Sequence, residues 1–124
     1  MFYTSPLAFL MGVHDKNDME KVAELIAVKV MITEFPAFAT LGGYIENCEI
    51  SPRAGVIATY ALLGFANVGS IGIQLGGIGA MAPDRKNDLA QVVTRAFVAG
   101  CMTSFINACV AGALIGSDDI ITNC

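Results

Sequence analysis

Thirty consecutive residues, Ala54 to Pro83, carry no formal charge. A helix crossing a bilayer core needs only about 20 apolar residues, so the stretch is long enough to span. It is nevertheless a poor simple helix. Gly55, Gly64, Gly69, Gly72, Gly76, Gly77 and Gly79 all lie inside it, and glycine in a helix interior costs roughly 1 kcal/mol against alanine. Gly64-Phe65-Ala66-Asn67-Val68-Gly69-Ser70 sits at its centre. That segment puts a carboxamide and a hydroxyl at mid-membrane depth, between glycines that permit unwinding. A polar group there needs a partner. Broken helices at the midplane are how many transporters build a substrate site. The alternative is an ordinary glycine-rich spanning helix packed closely on its neighbours. The segment alone leaves both open.

Composition sets the class. Of 124 residues, 55% are hydrophobic and 15% charged, against roughly 25% charged in soluble proteins, and mean hydropathy is +0.63. A second uncharged run, Ala96 to Ser117, also exceeds a spanning length. The net charge of −4 and the lack of a basic stripe exclude nucleic acid as a partner. Met1 to Val13 is apolar but too short to span, and has no basic residue ahead of it as a signal peptide would. It reads as the tail of a helix that begins further upstream, so the chain is expected to be part of a longer protein; a true start at Met1 is the alternative. With four cysteines, no CxxC pair and a single histidine, no zinc site is expected. Cys101 and Cys109 read as buried thiols. Cys48 and Cys124 lie near membrane edges, and a disulfide between them needs both on one oxidising side.

Residues 1–14 read as the end of a membrane helix and a polar loop. Pro6 suits a first turn or a kink, and His14 is a solvated loop residue. Asn17 with Glu20 three residues on resembles a capping box. The helix it opens is amphipathic at first and then apolar except for Lys29. Thr33-Glu34-Phe35-Pro36 ends this arm, because proline removes a donor and disfavours helix at Phe35. A second arm, Ala37 to Leu41, is closed by Gly42-Gly43. Neither arm reaches about 20 residues, so 15–47 reads as a re-entrant helical hairpin. Glu34 then sits at its tip, at membrane depth. A carboxylate there costs at least about 2.5 kcal/mol and is a functional candidate by default. The bland alternative pairs it with Lys29, five residues away and off the i,i+4 optimum; Lys29 can instead snorkel outward.

Ser51-Pro52 fits a helix start, opening the broken transmembrane helix, 51–82. The basic loop around Arg85 and Lys86 faces the cytoplasm by the positive-inside tendency. One long C-terminal transmembrane helix, 84–117, ends at the acidic Ser117-Asp118-Asp119, expected outside. Thr103, Ser104 and Asn107 are expected to make helix-packing hydrogen bonds. The fold class is thus an all-α membrane protein with one re-entrant hairpin, one broken transmembrane helix and one long final helix.

Gly64-Phe65-Ala66-Asn67-Val68-Gly69-Ser70-Ile71-Gly72-Ile73 resembles the signature of the concentrative nucleoside transporters. Gly76-Gly77, Ala82-Pro83-Asp84-Arg85-Lys86-Asn87-Asp88, Ala58-Thr59-Tyr60-Ala61-Leu62 and Phe9-Leu10-Met11-Gly12-Val13 continue the likeness, and Thr33-Glu34-Phe35-Pro36-Ala37-Phe38 resembles the family's hairpin motif. The match covers nearly the whole chain. The resemblance implies symport of nucleosides such as uridine, coupled to sodium or protons, by a homotrimer in the plasma membrane, with these segments forming part of one transport domain. It implies no cofactor and no enzymatic activity. In related transporters the ribose hydroxyls are held by a hairpin glutamate and by the asparagine and serine of the broken helix. Carried over, these are Glu34, Asn67 and Ser70, with Phe65 matching an aromatic residue that lines the site. The residue types suit ribose. A carboxylate accepts charge-assisted bonds from vicinal hydroxyls, while an amide and a hydroxyl both donate and accept.

The sequence departs from the family where Thr33 replaces asparagine, Pro36 and Phe38 replace valine and tyrosine, and Leu63 replaces a frequent cysteine. The family's other hairpin, which reads the nucleobase and contributes to the sodium site, has no counterpart here. The chain is therefore expected to supply the ribose half of a site. The competing reading is a truncated, non-transporting membrane subunit with a structural or assembly role. An intramembrane enzyme is disfavoured, since there is no Ser/His/Asp set, no acid pair in a spanning segment and no metal cluster.

Overall fold

The computed structural model describes residues 5–115, and every regular element within them is helical. The acidic end at Ser117-Asp118-Asp119 and Cys124, one of the two cysteines placed near membrane edges, lie outside the described residues.

The first helix, α1 (Ser5–Leu10), has Pro6 in its first turn, where no amide donor is needed. Gly12 at φ +96° ends it, with Gly12 N donating to Phe9 O and Val13 N to Ala8 O, the left-handed closure that favours glycine. Exposed His14 stands edge-on to Phe9 in the loop that follows.

The second helix, α2 (Lys16–Met31), starts two residues earlier than a cap at Asn17 implied. Asp15 is the cap, its side chain accepting from Asn17 N at 3.0 Å. A carboxylate at an N-terminus also gains from the helix dipole, which an asparagine does not. The third helix, α3 (Glu34–Glu46), packs on α2 as a helical hairpin. The break falls at Ile32-Thr33, not at Pro36. Proline at the third helical position lacks only an amide that has no helical acceptor, so α3 runs through it. Nor do Gly42-Gly43 close this arm. The closing left-handed residue is Cys48, at φ +54°, with Cys48 N donating to Ile45 O and Glu49 N to Tyr44 O. Contacts to α2 carry the helix past the glycines: Leu41 is buried, and Tyr44 Oη donates to Glu24 at 3.2 Å. Lys21 then pins the next loop through an ion pair with Glu49 at 3.2 Å.

The uncharged stretch divides into α4 (Pro52–Leu62) and α5 (Val68–Met81). Ser51 caps α4, accepting from Ala54 N at 3.3 Å. With 11 and 14 residues, each piece is about half as long as a bilayer core is thick, or little more. After a short 3₁₀ turn at Pro83–Arg85 comes α6 (Lys86–Leu114), 29 residues long. Pro83–Leu114 is, among the described residues, the one helical segment long and apolar enough to cross a membrane.

The core lies where α1, α2, α3 and α4 pack on one another, with α4 laid against α6. Val22, Leu25, Ile26, Leu41, Ile57, Ala58, Leu62 and Ala108 are buried there. Small residues let backbones approach: a Cβ at Gly112 would lie 2.9 Å from Met11 O. Thr103 and Ser104 do not join helices as expected. Each bonds the carbonyl four residues back in its own helix, at 2.9 and 3.1 Å, and Asn107 is exposed.

Half-buried Arg53 ties three chain regions together. It donates to Gly12 O at 2.5 Å, to Gly112 O at 2.7 Å and to Ile115 O at 3.4 Å. These carbonyls end α1 and α6, where helices leave acceptors unpaired and the dipole favours a cation. Arg53→Met is expected to destabilise the fold by at least about 2 kcal/mol, since hydrogen bonds to charged groups contribute about 1.5–3 kcal/mol each. Thermal unfolding of the detergent-solubilised chain, monitored by circular dichroism, measures this.

Candidate functional site

Two helix N-termini converge at one point. Glu34 is the first residue of α3, and Asn67 caps α5. The positive ends of both helices therefore surround the carboxylate, which offsets part of the cost of burying it. Glu34 is 5% exposed, Asn67 2% and Ser70 6%.

A hydrogen-bond network fixes the three. Asn67 Nδ2 donates to Glu34 Oε2 at 2.8 Å. Asn67 Oδ1 accepts from Ser70 N at 2.6 Å. In return Asn67 N donates to Ser70 Oγ at 3.3 Å, completing a reciprocal cap. The Ser70 hydroxyl donates to Asn67 O at 2.7 Å. Among the described residues, Glu34 Oε1 has no hydrogen-bond partner, although it is buried. An orphaned carboxylate oxygen inside a satisfied network is an acceptor waiting for a donor.

The sequence-predicted residues do not all behave alike. Glu34, Asn67 and Ser70 meet directly. Phe65 is 66% exposed, and its ring stands edge-to-face with Phe35 at a centroid distance of 6.4 Å. A cavity of about 430 Å³ opens beside the break, lined by Tyr60, Gly64, Phe65, Ser70, Phe97 and Ser104. Neither Glu34 nor Asn67 lines it.

Lys29 departs from both readings made of it. It does not snorkel outward: its side chain is 0% exposed. Nor does it form an ion pair with an acid among the described residues; its Nζ donates instead to Ala61 O at 2.6 Å. The signal for this was present in the sequence. Val22, Leu25, Ile26 and Lys29 recur at helical spacing, so Lys29 occupies the buried stripe of α2.

Gly64 marks the tightest place in the break. A Cβ there would overlap Ser104 Oγ and lie 3.6 Å from Lys29 Nζ. Gly64→Val is expected to push α4 from α6 and destabilise the fold by about 1–3 kcal/mol, the usual cost of overpacking. Thermal unfolding of the detergent-solubilised chain tests it.

A helix long enough to span a membrane, a broken helix and a buried acid–amide pair at the break are the parts from which membrane transporters build a midplane site. The family model for the C-terminus of Na+-dependent nucleoside transporters matches residues 2–112, and the chain belongs to that family. It is 47% identical over a 122-residue alignment to sodium/nucleoside cotransporter 1 of Sus scrofa, covering 88% of this chain and 19% of that protein. It is 44% identical to solute carrier family 28 member 3 of Eptatretus stoutii, over 88% of this chain and 18% of the relative. Its fold matches CNTnw in an inward-facing substrate-bound state with a TM-score of 0.86 and 36% identity, covering 93% of this chain and 29% of that one. The chain thus spans about a fifth of the length of the curated relatives it matches. Those relatives are transporters and not enzymes, and the setting is an integral membrane one.

Proposed function

We propose that this chain supplies the ribose half of the substrate site in a sodium-coupled nucleoside symporter. The observation that carries the reading is the Glu34–Asn67–Ser70 network with Glu34 Oε1 left unpartnered and buried. A ribose hydroxyl donates to Oε1, a charge-assisted bond of the kind a buried carboxylate needs. The second Nδ2 hydrogen of Asn67 and the remaining lone pairs of Asn67 Oδ1 and Ser70 Oγ meet the neighbouring hydroxyl. Phe65 and Phe35 offer apolar surface beside it.

Sodium is the coupling ion in this reading because the relatives are named sodium/nucleoside cotransporters; protons are the alternative. The hairpin at 15–47, the broken helix at 51–82 and the final helix at 84–117 move as parts of one transport domain, in a homotrimer at the plasma membrane. The base-reading half of the site comes from sequence beyond these residues.

Sodium-driven uptake of labelled uridine by the longest natural chain containing this sequence tests the proposal. Glu34→Gln and Asn67→Ala are expected to abolish it while leaving the protein in the membrane. Unchanged uptake in both would sink the assignment.

A further inference from the structure

We propose that Lys29 is a positioning residue that holds the helix break open from the opposite side to Glu34. A lysine side chain is almost never fully buried unless paired, and an unsatisfied buried donor is costly. Lys29 is withdrawn completely, and its one described hydrogen bond is to Ala61 O, 32 residues along the chain, at 2.6 Å. Its Nζ also lies 5.7 Å from the centre of the Phe105 ring.

Ala61 is in the last turn of α4, which ends at Leu62. In a continuous helix its carbonyl would take the amide of Phe65. That residue already belongs to the break, so the carbonyl is one of the acceptors a helix C-terminus leaves over. Lys29 supplies the missing donor. Without it, the cheapest way to satisfy a buried carbonyl is to wind another turn of α4 and draw Phe65 and Ala66 into helix. That would displace Asn67 from its place facing Glu34.

One hairpin therefore grips both ends of the break. Its basic residue sits at the carbonyl end of α4, and its acid sits at the amide end of α5. These are the signs the two helix dipoles favour. The spacing of five between Lys29 and Glu34 is poor for an ion pair along one helix. It fits two residues on either side of the Ile32-Thr33 turn, each addressing a different end of the broken element.

The inference rests on the substrate site proposed above, so its test has an arm that does not depend on transport. In the purified longest natural chain, Lys29→Met is expected to slow hydrogen exchange of the amides at 63–67 about tenfold, as the freed carbonyl recaptures Phe65 N. In cells the same variant is expected to raise the uridine KM about tenfold at equal surface density, the loss of one well-placed hydrogen bond in the site. Lys29→Arg, which keeps a basic donor, is expected to recover both most of the way.

Unchanged exchange at 63–67 in Lys29→Met overturns the proposal. So does equal failure of the methionine and arginine variants to assemble, which would make Lys29 a residue of the core alone. If Glu34→Gln transports normally while Lys29→Met still slows exchange, the substrate-site reading fails and the hold of Lys29 on the break stands.

Discussion

Glu34→Gln is expected to abolish concentrative uridine uptake with little change in fold. Glutamine is nearly isosteric with glutamate, and its carbonyl oxygen can still accept the bond that Asn67 Nδ2 now gives to Glu34 Oε2 at 2.8 Å. The NH2 group then falls where the orphaned Oε1 stands, and an acceptor becomes a donor. In the proposed site, a ribose hydroxyl that donates to Oε1 would instead meet two hydrogens. Hydrogen bonds to charged groups contribute about 1.5–3 kcal/mol, so losing one and facing a mismatched donor predicts a fall in kcat/KM of at least about 100-fold. Uptake kinetics with surface biotinylation measure both the loss and the delivery. Normal kinetics would mean that Oε1 receives no substrate hydroxyl.

Asn67→Ala is expected to act on fold and site together. Asn67 caps α5 through Ser70 N at 2.6 Å, and losing such a cap costs about 0.5–2 kcal/mol. The same side chain is the described hydrogen-bond partner of Glu34, so its removal leaves a buried carboxylate with neither oxygen bonded. Removing one partner of a buried charge costs roughly 3–5 kcal/mol. The variant should lose uptake and also unfold earlier. Asn67→Ser separates the effects, because serine is a good cap but is too short to replace the amide at Glu34. Its thermal stability should lie above that of Asn67→Ala, with uptake still lost. Equal stability of the two variants would show that the cap contributes nothing to α5.

The broken helix was legible in the sequence because its causes are local. Glycines on both sides of Asn67 weaken the helix, and an asparagine three residues before a serine can cap a new one. The start at Ser51-Pro52 was legible for the same reason. Glu34 stood out as an acid in an apolar arm, and the family likeness joined it to Asn67 and Ser70.

Errors came where two local signals competed and packing chose between them. Pro36 marks a break in isolation, but in a first turn it costs nothing, so Ile32-Thr33 turns instead. Gly42-Gly43 would end a free helix. Held against α2, α3 continues to a left-handed Cys48. Asp15 displaced Asn17 because its charge suits the helix end.

By itself the sequence determined that the chain is helical and membrane-compatible, and it marked Asn67 as a place where the longest uncharged stretch can break. Those properties follow from hydropathy and glycine placement within a few residues, whereas the grouping of Glu34, Asn67 and Ser70 came from the family likeness. Only the tertiary structure decided where Lys29 points, which carbonyls Arg53 ties together, and that one oxygen of Glu34 has no partner among the described residues. Each of these is a hydrogen bond, or a missing one, between groups roughly thirty to sixty residues apart. Such pairings have no signature along the chain, because they depend on which faces the packed helices turn toward each other.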